Sequence, residues 1–146
     1  LHHVGSTSVP GLAAKPTIDI LIEVATGTDI PGFDHAMQAL GYICRGECLD
    51  ATVPGVPGRF YYVRKHNTVH LTHVHTCASG HADIGDQLSF RDYLRSHPDV
   101  ACTYGNLKRD LAETFEYDNL GYMLGKDEFV KETIVRARQW RIQAQR

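Results

Sequence analysis

A glycine followed by three hydroxyl residues, Gly5-Ser6-Thr7-Ser8, stands a short way ahead of a lone aspartate, Asp19, in the apolar run Thr17-Ile18-Asp19-Ile20-Leu21-Ile22. A glycine lets backbone approach a ligand closely, hydroxyls add polar contacts, and a following helical turn offers unpaired N–H groups to an anion. Gly5, Ser6 and Ser8 are therefore candidates for holding a terminal phosphate; the plainer reading is a capped strand-to-helix turn. A carboxylate between isoleucines is costly to bury unless it is paired or bound to a metal. Beside a phosphate, Asp19 would suit a hard divalent cation bridging phosphate oxygens. The plainer readings are an exposed strand end, or a pair with Lys15 or an arginine. No base is visibly assigned to a serine or water nucleophile.

A second constellation is His70-Leu71-Thr72-His73-Val74-His75. Strand alternation places His73 and His75 on one face with Leu71, and turns His70 to the other. Two imidazoles at i and i+2 can bind one metal ion, so Asp19, His73 and His75 are candidate ligands for a divalent metal. Contacts to solvent or to a tyrosine are the alternative. Arg64 has the planar fork that suits a polyphosphate tail, with Lys15 assisting, whereas Lys65 reads as edge-strand charge. Glu23 shares the strand face of Asp19 but lies roughly 13 Å further along, too far to share one ion. The basic end of the last helix suits its own dipole. Cys44 and Cys48 form a pair without a second pair, which is weak for zinc; the four cysteines read as reduced thiols.

The elements that must position these groups follow from local pattern. Leu1 to Val4 reads as the end of a strand stopped by Gly5, and residues 8–14 as a short helical turn with Ser8 as cap and Pro10 in the first turn. Pro16 forces an extended exit into the β-branched strand that carries Asp19. A helix is expected over 33–40, closed by Gly41, then an extended piece from Tyr42 to Cys44. The run LDATVPGVPGRF reads as a mobile loop. RFYYVRK and TVHLTHVHT form a hairpin turning near His66-Asn67. Helical spacing begins near Asp86, with one helix marked by Leu88, Tyr93 and Leu94. A second carries Tyr104, Leu107, Leu111 and Phe115 after His97-Pro98-Asp99, and a third covers about 126–143. Strands first and helices later predict an α+β domain, a small mixed sheet with helices on one side and a helical C-terminal part.

With 146 residues, 42% hydrophobic and 22% charged, the chain suits a single globular domain. A net charge of −2 argues against a general nucleic-acid surface. There is no apolar run long enough for a bilayer and no secretory pattern, so a cytoplasmic protein without membrane association is expected. The start at Leu1, inside a strand, leads us to expect an upstream segment.

The stretches HHVGSTSVPGLAAKPTIDILIEV, HLTHVH, LSFRDYLRSHPDVACTYGNLKRDLA and KDEFVKETIVRARQW together resemble the GrpB family of nucleotidyltransferase-like proteins, across nearly the whole chain. That resemblance implies a polymerase-β-type nucleotidyltransferase fold, with an N-terminal helix and strand portion ahead of residue 1. It further implies Gly5-Ser6 as the phosphate-side element and Asp19 as the first metal aspartate, with a nucleoside triphosphate as possible substrate. Leu21 occupies the place of the second aspartate, and His73 or His75 that of the third carboxylate. Leucine cannot bridge two Mg²⁺ ions, and imidazole shifts preference toward Zn²⁺, Mn²⁺, Ni²⁺ or Fe²⁺. The expected functions are nucleotidyl or phosphoryl transfer to a small acceptor, a degenerate nucleotide-sensing or partner-binding module, or a metal-dependent phosphoesterase. The resemblance also implies a link, by fusion or partnership, to dephospho-CoA kinase.

Overall fold

The β-branched run around Asp19 forms strand β2, Ile18–Val24, an interior strand of a five-stranded sheet. The computed structural model describes residues 1–47 and 55–144. The other strands are β1 (His2–Val4), β3 (Tyr42–Cys44), β4 (Arg59–His66) and β5 (Val69–Ala78), in spatial order β1-β2-β5-β4-β3. β2 and β5 run parallel, and every other neighbouring pair is antiparallel. With helices α1 (Asp34–Ala39), α2 (Ala82–Ser96), α3 (Pro98–Thr114) and α4 (Asn119–Ala144), the result is the expected α+β fold on a mixed sheet. The first half of the loop expected from Leu49, residues 49–54, lies outside the described residues, as does Cys48, and its last two residues, Arg59 and Phe60, open β4.

Ladder partners share a face, so the register sorts the side chains. Asp19 pairs with His73, Leu21 with His75 and Glu23 with Cys77, while Arg59, Tyr61 and Val63 of β4 pair with Cys77, His75 and His73. This face carries one core. Val4, Leu21 and Cys77 meet Ile84 of α2 there, and Leu21 and Cys77 have no exposed surface at all. Arg59 reaches across to Asp83 of α2 with 3.2 Å contacts to both carboxylate oxygens. The opposite face, with Tyr62, meets α1 through the Tyr62 hydroxyl, which donates to Asp34 Oδ1 at 3.0 Å.

The β4–β5 hairpin turns at Asn67, which takes the left-handed conformation (φ 53°) that asparagine tolerates. Just beyond it the register shifts. Arg64 pairs with Thr72 and Lys65 with His70, so Leu71 is the extra residue of a bulge. Strict alternation therefore fails here, and His70 joins His73 on the same face instead of pointing away.

Two further elements depart from expectation. The helical turn near Ser8 is a single 3₁₀ turn, Ser6–Ser8, and it starts earlier than predicted because Gly5 (φ 70°) reverses the chain at once. Helix α4 begins at Asn119, not near residue 126. Gly121 and Gly125 discourage a helical reading, yet a Cβ at Gly125 would meet Leu111 of α3 and one at Gly121 would meet the Phe115 ring. These glycines let the two helices close on each other. A second core forms where they meet α2 and the 9–12 segment: Val9, Leu94, Ala101 and Tyr104, with Phe129 stacked on Tyr104 at 5.1 Å.

Candidate functional site

The 5–8 turn sits against the start of β2. Gly5 adopts φ 70° and ψ −174°, a conformation essentially reserved for glycine, and a Cβ there would overlap the Asp19 carboxylate. Close approach of turn and carboxylate thus requires this glycine. The N–H groups of Ser8 and Val9 are used within the turn, on Gly5 O and Ser6 O at 3.2 Å each. Those of Ser6 and Thr7 have no backbone partner among the described residues. Ser8 is buried, its hydroxyl donates to Gly5 O at 2.6 Å, and its carbonyl accepts two bonds from Arg95 at 2.8 and 2.7 Å. Ser8 therefore builds the turn and faces inward.

Ser6 has a partner that spacing along the chain does not reveal. Lys108 of α3 is only 7% exposed, and its Nζ lies 2.8 Å from Ser6 Oγ and also donates to Ala13 O. It stands 4.7 Å from the Tyr104 ring centroid. Burial, and then the nearby Lys126 ammonium, lower its pKa to about 8. Lys126 is itself held below its ordinary range, chiefly by burial; Asp19 opposes that shift and Lys15 adds to it. Lys15 and Lys126 lie 5.4 and 5.1 Å from the same Tyr122 ring. Three lysines from three parts of the chain thus gather around the turn and Asp19. The signal that marks two of them is a lysine four residues after a tyrosine on an otherwise apolar helix face, Tyr104–Lys108 and Tyr122–Lys126.

On the sheet, Asp19 and His73 are paired. Asp19 Oδ1 accepts from His73 Nδ1 at 3.2 Å, with side-chain exposures of 25% and 23%. A carboxylate can only accept, so Nδ1 carries the proton and His73 Nε2 faces His70 Nδ1 at 2.7 Å. The result is a chain of Asp19, His73 and His70, completed by the bulge. His70 is shifted downward by burial and by Lys65, His73, Lys15 and Arg45. His75 lies one step along, opposite Leu21, stacked on Tyr61 at 5.0 Å. Its Nδ1 is buried without a partner among the described residues, and burial together with Arg59 lowers its pKa to about 4.

The structure therefore brings together Gly5, Ser6, Lys15, Asp19 and His73. It does not bring in Arg64, which is exposed on the opposite sheet face beside Thr72 and Tyr42, where strand alternation puts it. Glu23 accepts from Ser79 at 2.6 Å, away from Asp19 as expected. Among the described residues no group of three His, Cys, Asp or Glu is arranged to hold a metal ion. The expected Asp19–His73–His75 ligand set is not assembled, because both nitrogens of His73 are engaged and His75 packs under Tyr61. Cys77 is fully buried, which pushes its thiol up to about 11; Cys44 is shifted upward by burial and Asp34.

Fold and site together define an α+β protein on a mixed sheet with a lysine-lined glycine–serine turn at one end of its central strands. The chain belongs to the GrpB protein family, whose profile matches residues 1–136. It is 41% identical over 141 residues to UPF0157 protein YqkA of Bacillus subtilis (strain 168), covering 97% of this chain and 39% of that protein. The Glutamate-rich protein GrpB of Alkalihalophilus pseudofirmus is 31% identical over 136 residues, 92% of this chain and 76% of that one. UPF0157 protein PA4798 of Pseudomonas aeruginosa is 40% identical, and the chain spans 54% of its length. The chain thus covers between about two fifths and just over half of YqkA and PA4798. The crystal structure of conserved protein GrpB from Enterococcus faecalis superposes with a TM-score of 0.83 at 37% identity, over 95% of this chain and 81% of that one. No helix among the described residues is long and apolar enough to cross a membrane.

Proposed function

We propose that this site binds the phosphate groups of a nucleotide or another phosphorylated small molecule. The observation that carries the reading is the convergence of two cations, Lys15 and Lys126, on the 5–8 turn and Asp19, with Lys108 bonded to Ser6 beside them. Holding the half-buried Lys126 ammonium beside that of the exposed Lys15 is unfavourable without an anion to meet them, and Asp19 supplies only one negative charge. The N–H groups of Ser6 and Thr7, which have no backbone partner among the described residues, fit phosphate oxygens in the same place. Mg²⁺ commonly needs only one or two protein carboxylates when phosphates supply the rest, so an ion arriving with the ligand would use Asp19. Zinc held by the protein alone has no such support.

Two-metal nucleotidyl transfer is a weaker reading than binding. Leu21 fills the second-carboxylate position and is wholly enclosed with Val4, Cys77 and Ile84. A sensing or partner-docking role for the bound state accords with this, and so does a link to dephospho-CoA kinase or to another enzyme of phosphorylated metabolites. The test is thermal unfolding with each nucleoside triphosphate, with and without Mg²⁺, Mn²⁺ or Zn²⁺, for the wild type, Asp19→Ala and Lys126→Ala. Ligand at about 100 times its Kd adds roughly 2.7 kcal/mol, a rise of several degrees in Tm. The reading predicts a rise that shrinks in both variants. A folded wild type that no nucleotide stabilises would rule out the nucleotide.

A further inference from the structure

We propose that Ser6 is a nucleophile toward phosphorus, with Lys108 as its general base. Ser6 opens the 3₁₀ turn directly after Gly5, where the reversed backbone lifts its side chain out of the strand. Its Oγ lies 2.8 Å from Lys108 Nζ, within reach for proton transfer. Among the described residues nothing acidic pairs with Lys108: its other partner is the Ala13 carbonyl, and its neighbours are the Tyr104 ring and Lys126. A lysine kept for charge alone is normally matched to a carboxylate, whereas burial beside a second cation favours the free amine. The pKa near 8 agrees with that placement. A neutral amine donates to Ala13 O and turns its lone pair on the Ser6 hydroxyl, which is how a serine is activated without histidine.

The step balances as follows. As the Ser6 Oγ–P bond forms, the hydroxyl proton passes to the Lys108 lone pair. The bond from phosphorus to the leaving oxygen breaks, and its electron pair departs on that oxygen, as pyrophosphate if a nucleoside triphosphate is attacked at its α-phosphorus. Lys15 and Lys126 lie where they would offset charge on the non-bridging oxygens. The site's cations favour a phosphorus electrophile over a neutral ester. The identity of that electrophile rests on the phosphate-binding reading above; the Ser6–Lys108 pair does not.

Treatment with a fluorophosphonate probe separates the two, because it needs no nucleotide: Ser6 Oγ bonds to phosphorus and fluoride leaves. Intact-mass measurement and peptide mapping should find one adduct, on Ser6, absent in Ser6→Ala. Lys108→Arg keeps N–H donors but stays protonated and so removes the base, and Lys108→Met removes donors and base alike. Each should slow labelling by about 100-fold or more while melting cooperatively. No adduct on folded wild-type protein, or an undiminished rate in a folded Lys108→Arg, would overturn the proposal. An adduct without any nucleotide-induced thermal shift upholds the pair and removes the nucleotide; a thermal shift without an adduct does the reverse.

Discussion

At the residue scale, the same chemical type has opposite fates according to where a side chain lies. His73 is held by a carboxylate on one nitrogen and an imidazole on the other, and His75, two residues on, has a buried nitrogen with no partner among the described residues. The folded pKa of His75, about 4, lies below the ordinary 6.5. Between those values the unfolded chain binds more protons, so stability is full above pH 6.5 and is lost as pH falls through 4. His75→Gln should therefore narrow the difference in Tm between pH 7 and pH 4.5, read by circular dichroism. An unchanged difference would mean that His75 is not the buried neutral group described. Lys108 has the same sign at the other end of the scale. Its pKa of about 8 lies below the ordinary 10.5, so its contribution improves as pH rises from 8 toward 10.5.

At the element scale, the site depends on how helices and strands begin and slip. Helix α4 carries both Tyr122 and Lys126 within its first turns, and Asp118 caps it: Gly121 N donates to Asp118 Oδ1 at 2.9 Å. Asp118→Ala should cost about 1 kcal/mol in urea unfolding and speed amide exchange in the first turn of α4. A similar cap serves α2, where His81 Nδ1 accepts from Asp83 N at 3.2 Å. The bulge at Leu71 is the strand counterpart. One surplus residue changes which face His70 shares, and Thr17 Oγ1 holds that stretch by donating to His70 O at 3.0 Å.

At the scale of the whole molecule, Leu21 marks what the fold has committed to. It has no exposed surface, and its neighbours come from β1, β5 and α2. Leu21→Asp, which would add a carboxylate two residues after Asp19, buries an unpaired charge among them. It should destabilise by about 4 kcal/mol or more, measured by denaturant unfolding, and yield no Mg²⁺-dependent transfer. Folded, stable Leu21→Asp protein would show that this end of the sheet tolerates a carboxylate pair. Distant tethers hold the helical layer to itself and to the turn. Arg138 forms a two-pronged pair with Asp86 at 2.7 Å, Arg95 grips Ser8 O, and Trp140 meets Tyr93 and His97 edge-on.

Local pattern in the sequence determined the strand around Asp19, the hairpin, the short helix before Gly41 and the order of strands before helices. These follow from alternation, glycine stops and periodicity, which act over a few residues. It also marked Gly5, Ser6, Lys15, Asp19 and His73, whose residue types announce polar chemistry in apolar surroundings. Only tertiary structure decided the rest. Lys108 reaches Ser6 from 102 positions away, and α4 starts early because its glycines fit against α3. Ser8 turns inward because Arg95 and Gly5 use its polar atoms, and Arg64 lies on the far face because β4 meets β5 in that register. Such pairings depend on strand register and helix packing, which join residues by position in space, and neighbours in sequence carry almost no record of them.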